Sequence, residues 1–288
     1  MGLATFRGGV HPFEGKELSM DRAVTVLKPT SGEMVYPLSQ HIGAPAKAIV
    51  KVGDEVLVGQ KIAEAGGFIS AVVVSSVSGK VKKIEPRVTA GGAKSISIVI
   101  ENDGLYTAVE GLGEDRDATK LSKQEIRDIV REAGIVGLGG AGFPTNVKLT
   151  PKDESKIDYV IVNGAECEPY LTCDYRMMIE EPERLVGGLK VMLQLFENAK
   201  AVIGIENNKP KAIETLRALV KDEPKITVEP LRTKYPQGGE RSLIYAVTGR
   251  EINSSMLPAD AGCVVDNVNT VMAIYDAVCK QTPILERV

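Results

Sequence analysis

Residues 158–164 read DYVIVNG, a run of apolar, largely β-branched residues closed by Asn and Gly. Such a run has the length and composition of a buried strand. Working outward, the same grammar recurs. ERLVGGLKVMLQLFENA (183–199) and KPKAIETLRALVKD (209–222) have helical length and spacing, and KAVIGIE (200–206) and KITVEPL (225–231) are strand-like. Strands alternating with helices argue for an α/β sheet covered by helices. The strand ends at Asn163 and Glu206 then point to one crevice, the usual ligand edge of such a sheet.

Upstream, the pattern differs. KAIVKVGDEVLVGQKIAEAGG (47–67), SAVVVSSVSGKVKKIEP (70–86) and KSISIVIE (94–101) are short apolar strands broken by glycine turns, the signature of a small all-β sandwich or barrel. Residues 102–120 are polar and read as a linker. Ser122 followed by Glu125 makes a capping box, QEIRDIVREAG has helical spacing, and Gly134 supplies the stop. The expected organisation is therefore 1–101 for an N-terminal segment and β domain, 102–120 for a linker, and 121–288 for an α/β domain.

Composition narrows the function classes. The 288 residues carry 35 basic and 38 acidic side chains, and 5% are aromatic, which argues against a nucleic-acid partner. No apolar run reaches the roughly 18 residues of a membrane span, and the opening MGLATFRGG lacks an apolar signal core. Two histidines leave little material for triad hydrolysis. The four cysteines, Cys167, Cys173, Cys263 and Cys279, form no CxxC pair, so no metal or cluster site is expected on this chain.

Candidate chemistry gathers in two stretches. GLGGAGFPTNVKL (137–149) places four glycines within six positions and Lys148 six residues after Gly142. A GxGxxG spacing is present, but it follows a helix rather than a strand, and the lysine is out of P-loop register. Spacing leaves two readings open: a long turn with a solvated lysine, or a concavity of N–H groups and an ammonium that receives an anion. NGAECEPYLTCDYR (163–176) follows the first strand and carries Glu166 and Glu168, pure hydrogen-bond acceptors when ionised. Glu206, Asn207, Asp266, Asn267, Asn269 and Thr270 add acids and amides at other loop edges.

Together with the opening FRGGVHPFEGK (6–16), these two stretches resemble the RnfC subunit of the Rnf electron transport complex, and the central domain is similar to the flavin-bearing 51 kDa subunit of respiratory complex I. The resemblance implies a Rossmann-like FMN-binding α/β domain preceded by a lipoyl-like barrel-sandwich domain. It implies non-covalent FMN held by Gly137, Gly139, Gly140, Ala141, Gly142, Lys148, Asn163, Asn267 and Thr270, with Lys148 on the phosphate. It also implies NAD(H) against Phe143, Glu166, Glu168 and Glu206. No catalytic side chain is needed, because the flavin performs the redox step. Ala165 stands where the complex I subunit often has aspartate, so one hydrogen bond to flavin or nucleotide would differ.

The further implications concern context. The chain is expected to be an NADH-dependent oxidoreductase component, peripheral on the inner face of a bacterial cell membrane, with other Rnf subunits as partners and ferredoxin reached indirectly. Family members continue into a β-grasp-like domain and a ferredoxin-like segment with 4Fe–4S clusters; this chain stops at ILERV, before both. The lipoyl-like hairpin reads GGFISA (66–71) with no lysine to modify, so a docking or packing role is expected there. Two alternatives are a non-catalytic scaffold fragment and a flavoprotein related to cobalamin reductases, a family that places its lipoyl-like region after the flavin motif.

Overall fold

The computed structural model describes residues 2–287, which divide into two compact units. Residues 26–148 and 276–287 form a β-rich unit, and residues 2–25 and 149–275 form an α/β unit. These units do not follow the boundaries expected at 101 and 121.

In the β-rich unit, β1 (Glu33–Pro37), β7 (Lys94–Asn102), β6 (Gly79–Val88) and β3 (Glu55–Val56) make one antiparallel sheet; β2 (Lys47–Ala48), β4 (Lys61–Glu64) and β5 (Val73–Val74) make a second. Val56, Ile62, Val81, Ile98 and Ile100 meet in a shared core, as the inward positions of facing strands should. The stretch expected as a linker packs here too. Around the Val58–Ala108 bridge, the Val58 N–H donates to the Thr107 carbonyl and the Val109 N–H donates to the Val58 carbonyl, both at 2.9 Å. The Tyr106 hydroxyl donates to the Pro29 carbonyl at 2.5 Å. A few such contacts suffice to fold a polar segment back on the sheet. Helix α1 (Lys123–Glu132) starts at the expected capping box, Ser122 and Glu125 bonding reciprocally, and stops at Gly134 with φ +71°.

The α/β unit alternates as its pattern requires: β8 (Tyr159–Gly164), α3 (Cys173–Glu180), α4 (Pro182–Leu195), β9 (Lys200–Glu206), α5 (Pro210–Leu219), β10 (Ile226–Leu231), α6 (Glu240–Thr248), β11 (Cys263–Asn267) and, as far as Tyr275, α7 (Val268–Cys279). Here α2 denotes the short helix Thr145–Lys148 that precedes β8 in the chain. The four strands lie parallel in the order β10-β9-β8-β11. Ile161 and Val265 pack on Leu243 and Ile244 of α6, so the neighbouring Val160, Val162 and Val264, also buried, face the other side. Gly187 and Gly188 let α4 approach α7 closely: a Cβ at Gly188 would stand 2.0 Å from the Val271 carbonyl oxygen. Because all strands run the same way, Gly164, Glu206, Leu231 and Asn267 end at one edge. The N-terminal segment extends this unit, with Ala4 bridging to Leu231 and Val10 to Tyr235.

Candidate functional site

In the β-rich unit, α1 leads into a closed loop. Val136 bridges to Pro144, the Gly137 N–H donates to the Phe143 carbonyl at 2.8 Å, and the Thr145 N–H donates to the Ile135 carbonyl at 3.0 Å. The loop then enters α2, whose last residue is the half-buried Lys148. Its glycines are not equivalent. Gly142 has φ +66°, and a Cβ there would come within 3.1 Å of the Gln40 carbonyl oxygen and 3.2 Å of His41 Cα, so the fold itself requires glycine. Gly137 and Gly140 have no positive φ; a Cβ would make only ordinary contact at Gly137 and would meet nothing at Gly140. Packing does not explain these two glycines. They leave bare, partly exposed backbone, which fits a group that lies against main chain. Beside them, Thr145 Oγ1 is fully buried with no hydrogen-bond partner among the described residues, a polar group that the motif reading passed over.

In the α/β unit, the strand edge is crowded with ionisable groups. Glu206 is buried, its Oε1 accepting the Lys234 N–H at 3.1 Å and its Oε2 lying 3.7 Å from Lys209 Nζ. Burial pushes its carboxyl up to about 7, against the pull of Lys209. Lys209, 1% exposed, donates to the Ala165 carbonyl at 2.7 Å and Asn208 Oδ1 at 3.0 Å, and burial lowers its affinity for a proton. Glu168 is exposed and, with Glu206, Cys167, His11 and Lys234, lines a small open cleft.

Residues 130–276 match the family model of the Nuo51 FMN-binding domain, just over half of the chain. The chain belongs to that family. Residues 4–105 match a second model, the RnfC barrel sandwich hybrid domain. Among curated proteins, the chain is 47% identical over 99% of its length to a subunit of the proton-translocating ferredoxin:NAD(+) oxidoreductase complex of Clostridium ljungdahlii. It is 46% identical over 98% of its length to the Na(+)-translocating counterpart of Acetobacterium woodii, and 40% identical over 99% to the corresponding subunit of the ion-translocating oxidoreductase complex of Pseudomonas aeruginosa. It spans 62%, 64% and 37% of those proteins. The resemblance read from the motifs is thereby shown, and with it the α/β flavin-domain fold following a barrel sandwich.

Within the Nuo51-type domain, several motif residues serve as struts. Asn163 donates through Nδ2 to the Gly238 carbonyl at 2.8 Å, while its Oδ1 accepts the Ala165 N–H at 3.3 Å. Asn267 Nδ2 and Asn269 Nδ2 each donate to one oxygen of Asp174, both at 2.7 Å, and Thr270 is fully buried. Glu166 differs most from its expected place. It is buried at φ +46°, with Oε1 accepting the Asp174 N–H at 2.7 Å, so it anchors the loop from beneath. Burial raises its carboxyl, and burial together with Glu166 raises Asp174 to about 7. Glu166, Cys173 and Asp174 bring one potential metal-ligand atom each within 4.8 Å of one another. Both Asp174 oxygens are already engaged, while Glu166 Oε2 is buried with no hydrogen-bond partner among the described residues and lies 4.0 Å from Lys16 Nζ; burial pushes the Cys173 thiol up to about 11. Motif reading missed Asp174, Lys16 and Lys209. Their distant partners lie 44–155 residues away along the chain, and no local spacing announces them.

Proposed function

We propose that this chain is an FMN- and NAD(H)-binding electron-transfer component of an ion-translocating ferredoxin:NAD oxidoreductase complex. The observation that carries the reading is the 137–148 stretch: glycines that the fold does not need, on exposed backbone, within a matched FMN-binding domain. In it, the loop N–H groups and the Lys148 ammonium would receive the FMN phosphate, an anion suited to both. Asn163, Asn267 and Thr270, engaged or buried within the α/β unit, would serve flavin binding by holding its strand-edge loops in shape. On the nucleotide side, Glu168 and Glu206 line the cleft where ribose hydroxyls would be received, and Glu166 holds the acid loop in shape. By its motif, Phe143 is the proposed nicotinamide face.

When bound, FMN would supply the chemistry the side chains lack, exchanging a hydride with NAD(H) and single electrons with iron–sulfur centres. The protein's part is to bind, orient and shield. The relatives' names support other subunits of such a complex as partners. In this reading ferredoxin is reached indirectly and the chain is peripheral to a bacterial membrane. Among the described residues no helix is long and apolar enough to cross a membrane. The test is to add FMN to the purified chain. A perturbed flavin spectrum that NADH bleaches supports the proposal, and a folded chain that leaves the spectrum of free FMN unchanged refutes it.

A further inference from the structure

The opening motif FRGGVHPFEGK (6–16) has no part in the flavin reading, yet the structure ties it to the acid loop of the α/β unit. Two lysines make the tie reciprocal. Lys234 Nζ donates to the Phe6 and Gly8 carbonyls at 2.5 and 3.0 Å and sits 3.9 Å over the Phe6 ring. Val10 and Tyr235 exchange both main-chain hydrogen bonds at 2.8 Å. From the other side, Lys16 Nζ donates to the carbonyls of Glu166, Glu168 and Leu171 at 2.8, 3.0 and 2.5 Å. The motif's glycines follow from this path: a Cβ at Gly9 would stand 2.8 Å from the Tyr235 oxygen, and one at Gly15 2.3 Å from the Tyr170 ring.

We infer that Lys16 is a positioning residue of the dinucleotide cleft, and that the N-terminal segment forms one of its walls. An ammonium has three donors. All three of Lys16 are spent on one loop, which leaves none for a phosphate and makes its role the shape of 166–171. That loop needs holding, because Glu166 and Tyr170 both adopt left-handed backbone, φ +46° and +67°. The segment then adds His11 and Glu14 to the cleft that Glu168 and Glu206 line. Exposed Glu14 and Glu168 bring carboxylate acceptors to that cleft, which suits a ligand rich in hydroxyl donors, as the ribose units of a nicotinamide dinucleotide are. The inference rests on the proposed function for the identity of that ligand.

The experiment is calorimetric titration of the whole chain with NAD+ and with ADP-ribose, alongside FMN binding and circular dichroism. Lys16→Met is expected to weaken NAD+ and ADP-ribose at least tenfold, leave FMN affinity within twofold, and raise the NADH KM far more than it lowers kcat with ferricyanide as acceptor. A folded Lys16→Met protein that binds NAD+ within twofold of wild type overturns the inference. Should that variant fail to fold, the exposed pair His11→Ala and Glu14→Gln decides: a loss of threefold or more supports the wall, and unchanged affinity overturns it. Wild-type chain that binds FMN but neither dinucleotide nor ADP-ribose refutes instead the NAD(H) half of the proposed function.

Discussion

Alanine at Gly140 and alanine at Gly142 should part company in stability while agreeing in cofactor affinity. At Gly142 the backbone is left-handed, where a Cβ costs about 1–2 kcal/mol, and the nearest atoms, the Gln40 carbonyl and His41 Cα, are main chain that cannot swing aside. With ~2–4 °C of Tm per kcal/mol for a chain of this size, Gly142→Ala should melt about 2–8 °C lower. At Gly140 the added methyl meets nothing and φ is not positive, so the change removes unfolded-chain entropy without native strain. Gly140→Ala should be neutral or stabilised by up to about 1 kcal/mol. If the bare backbone is where FMN lies, that same methyl intrudes on the cofactor, and Gly140→Ala should bind FMN at least tenfold more weakly although it melts no lower. Thermal unfolding of the apo-protein and quenching of flavin fluorescence read the two effects separately. Wild-type FMN affinity in Gly140→Ala would refute the cradle, and wild-type Tm in Gly142→Ala would refute the conformational argument.

Lys148→Ala should weaken FMN binding by about 1.5–3 kcal/mol, the worth of a charge-assisted contact, and a flavin titration giving equal affinity would remove the phosphate role. Glu206 and Asp174 both have carboxyls raised to about 7, so the folded state holds protons that the unfolded chain releases near the ordinary carboxylate range. Their contribution to stability is present below the unfolded pKa and is lost as pH rises through about 7. Glu206→Gln should therefore lose less stability than wild type between pH 5 and pH 8 in urea melts; a parallel decline in both proteins would show that Glu206 is not the titrating group. Intact-mass measurement of the chain from its native host should show no lipoyl or biotinyl adduct, since Phe68, 84% exposed, occupies the hairpin tip and no lysine stands there.

How far the fold is legible depends on the range of the forces involved. The capping box at Ser122 and Glu125 and the stop at Gly134 can be read because their partners are a few residues apart. Runs such as 158–164 and 200–206 can be read because burial on both faces of a parallel sheet demands continuous apolar sequence. The stretch 102–120 has the polarity of a linker, and that polarity conceals the few contacts that hold it to the sheet.

The candidate site divides along the same line. Sequence alone determined the layout of strands and helices and the residue types available for a phosphate and a nucleotide, because periodicity and motif spacing are local properties of the chain; the family came from the resemblance of whole motifs. Only the tertiary structure decided which of those residues are buried as anchors and which line the cleft. Glu166, an acceptor by type, became a buried anchor once Asp174 supplied its N–H, while Glu168 remained at the cleft. Lys16, an ordinary surface lysine to any local reading, became a clamp 150 residues along the chain from the Glu166 carbonyl. Gly142 and Gly140 look alike in sequence, and packing alone separates a glycine the fold requires from one it leaves bare. The physical reason is the same in each case: desolvation and hydrogen-bond satisfaction are set by neighbours in space, and those neighbours exist only after the chain has folded.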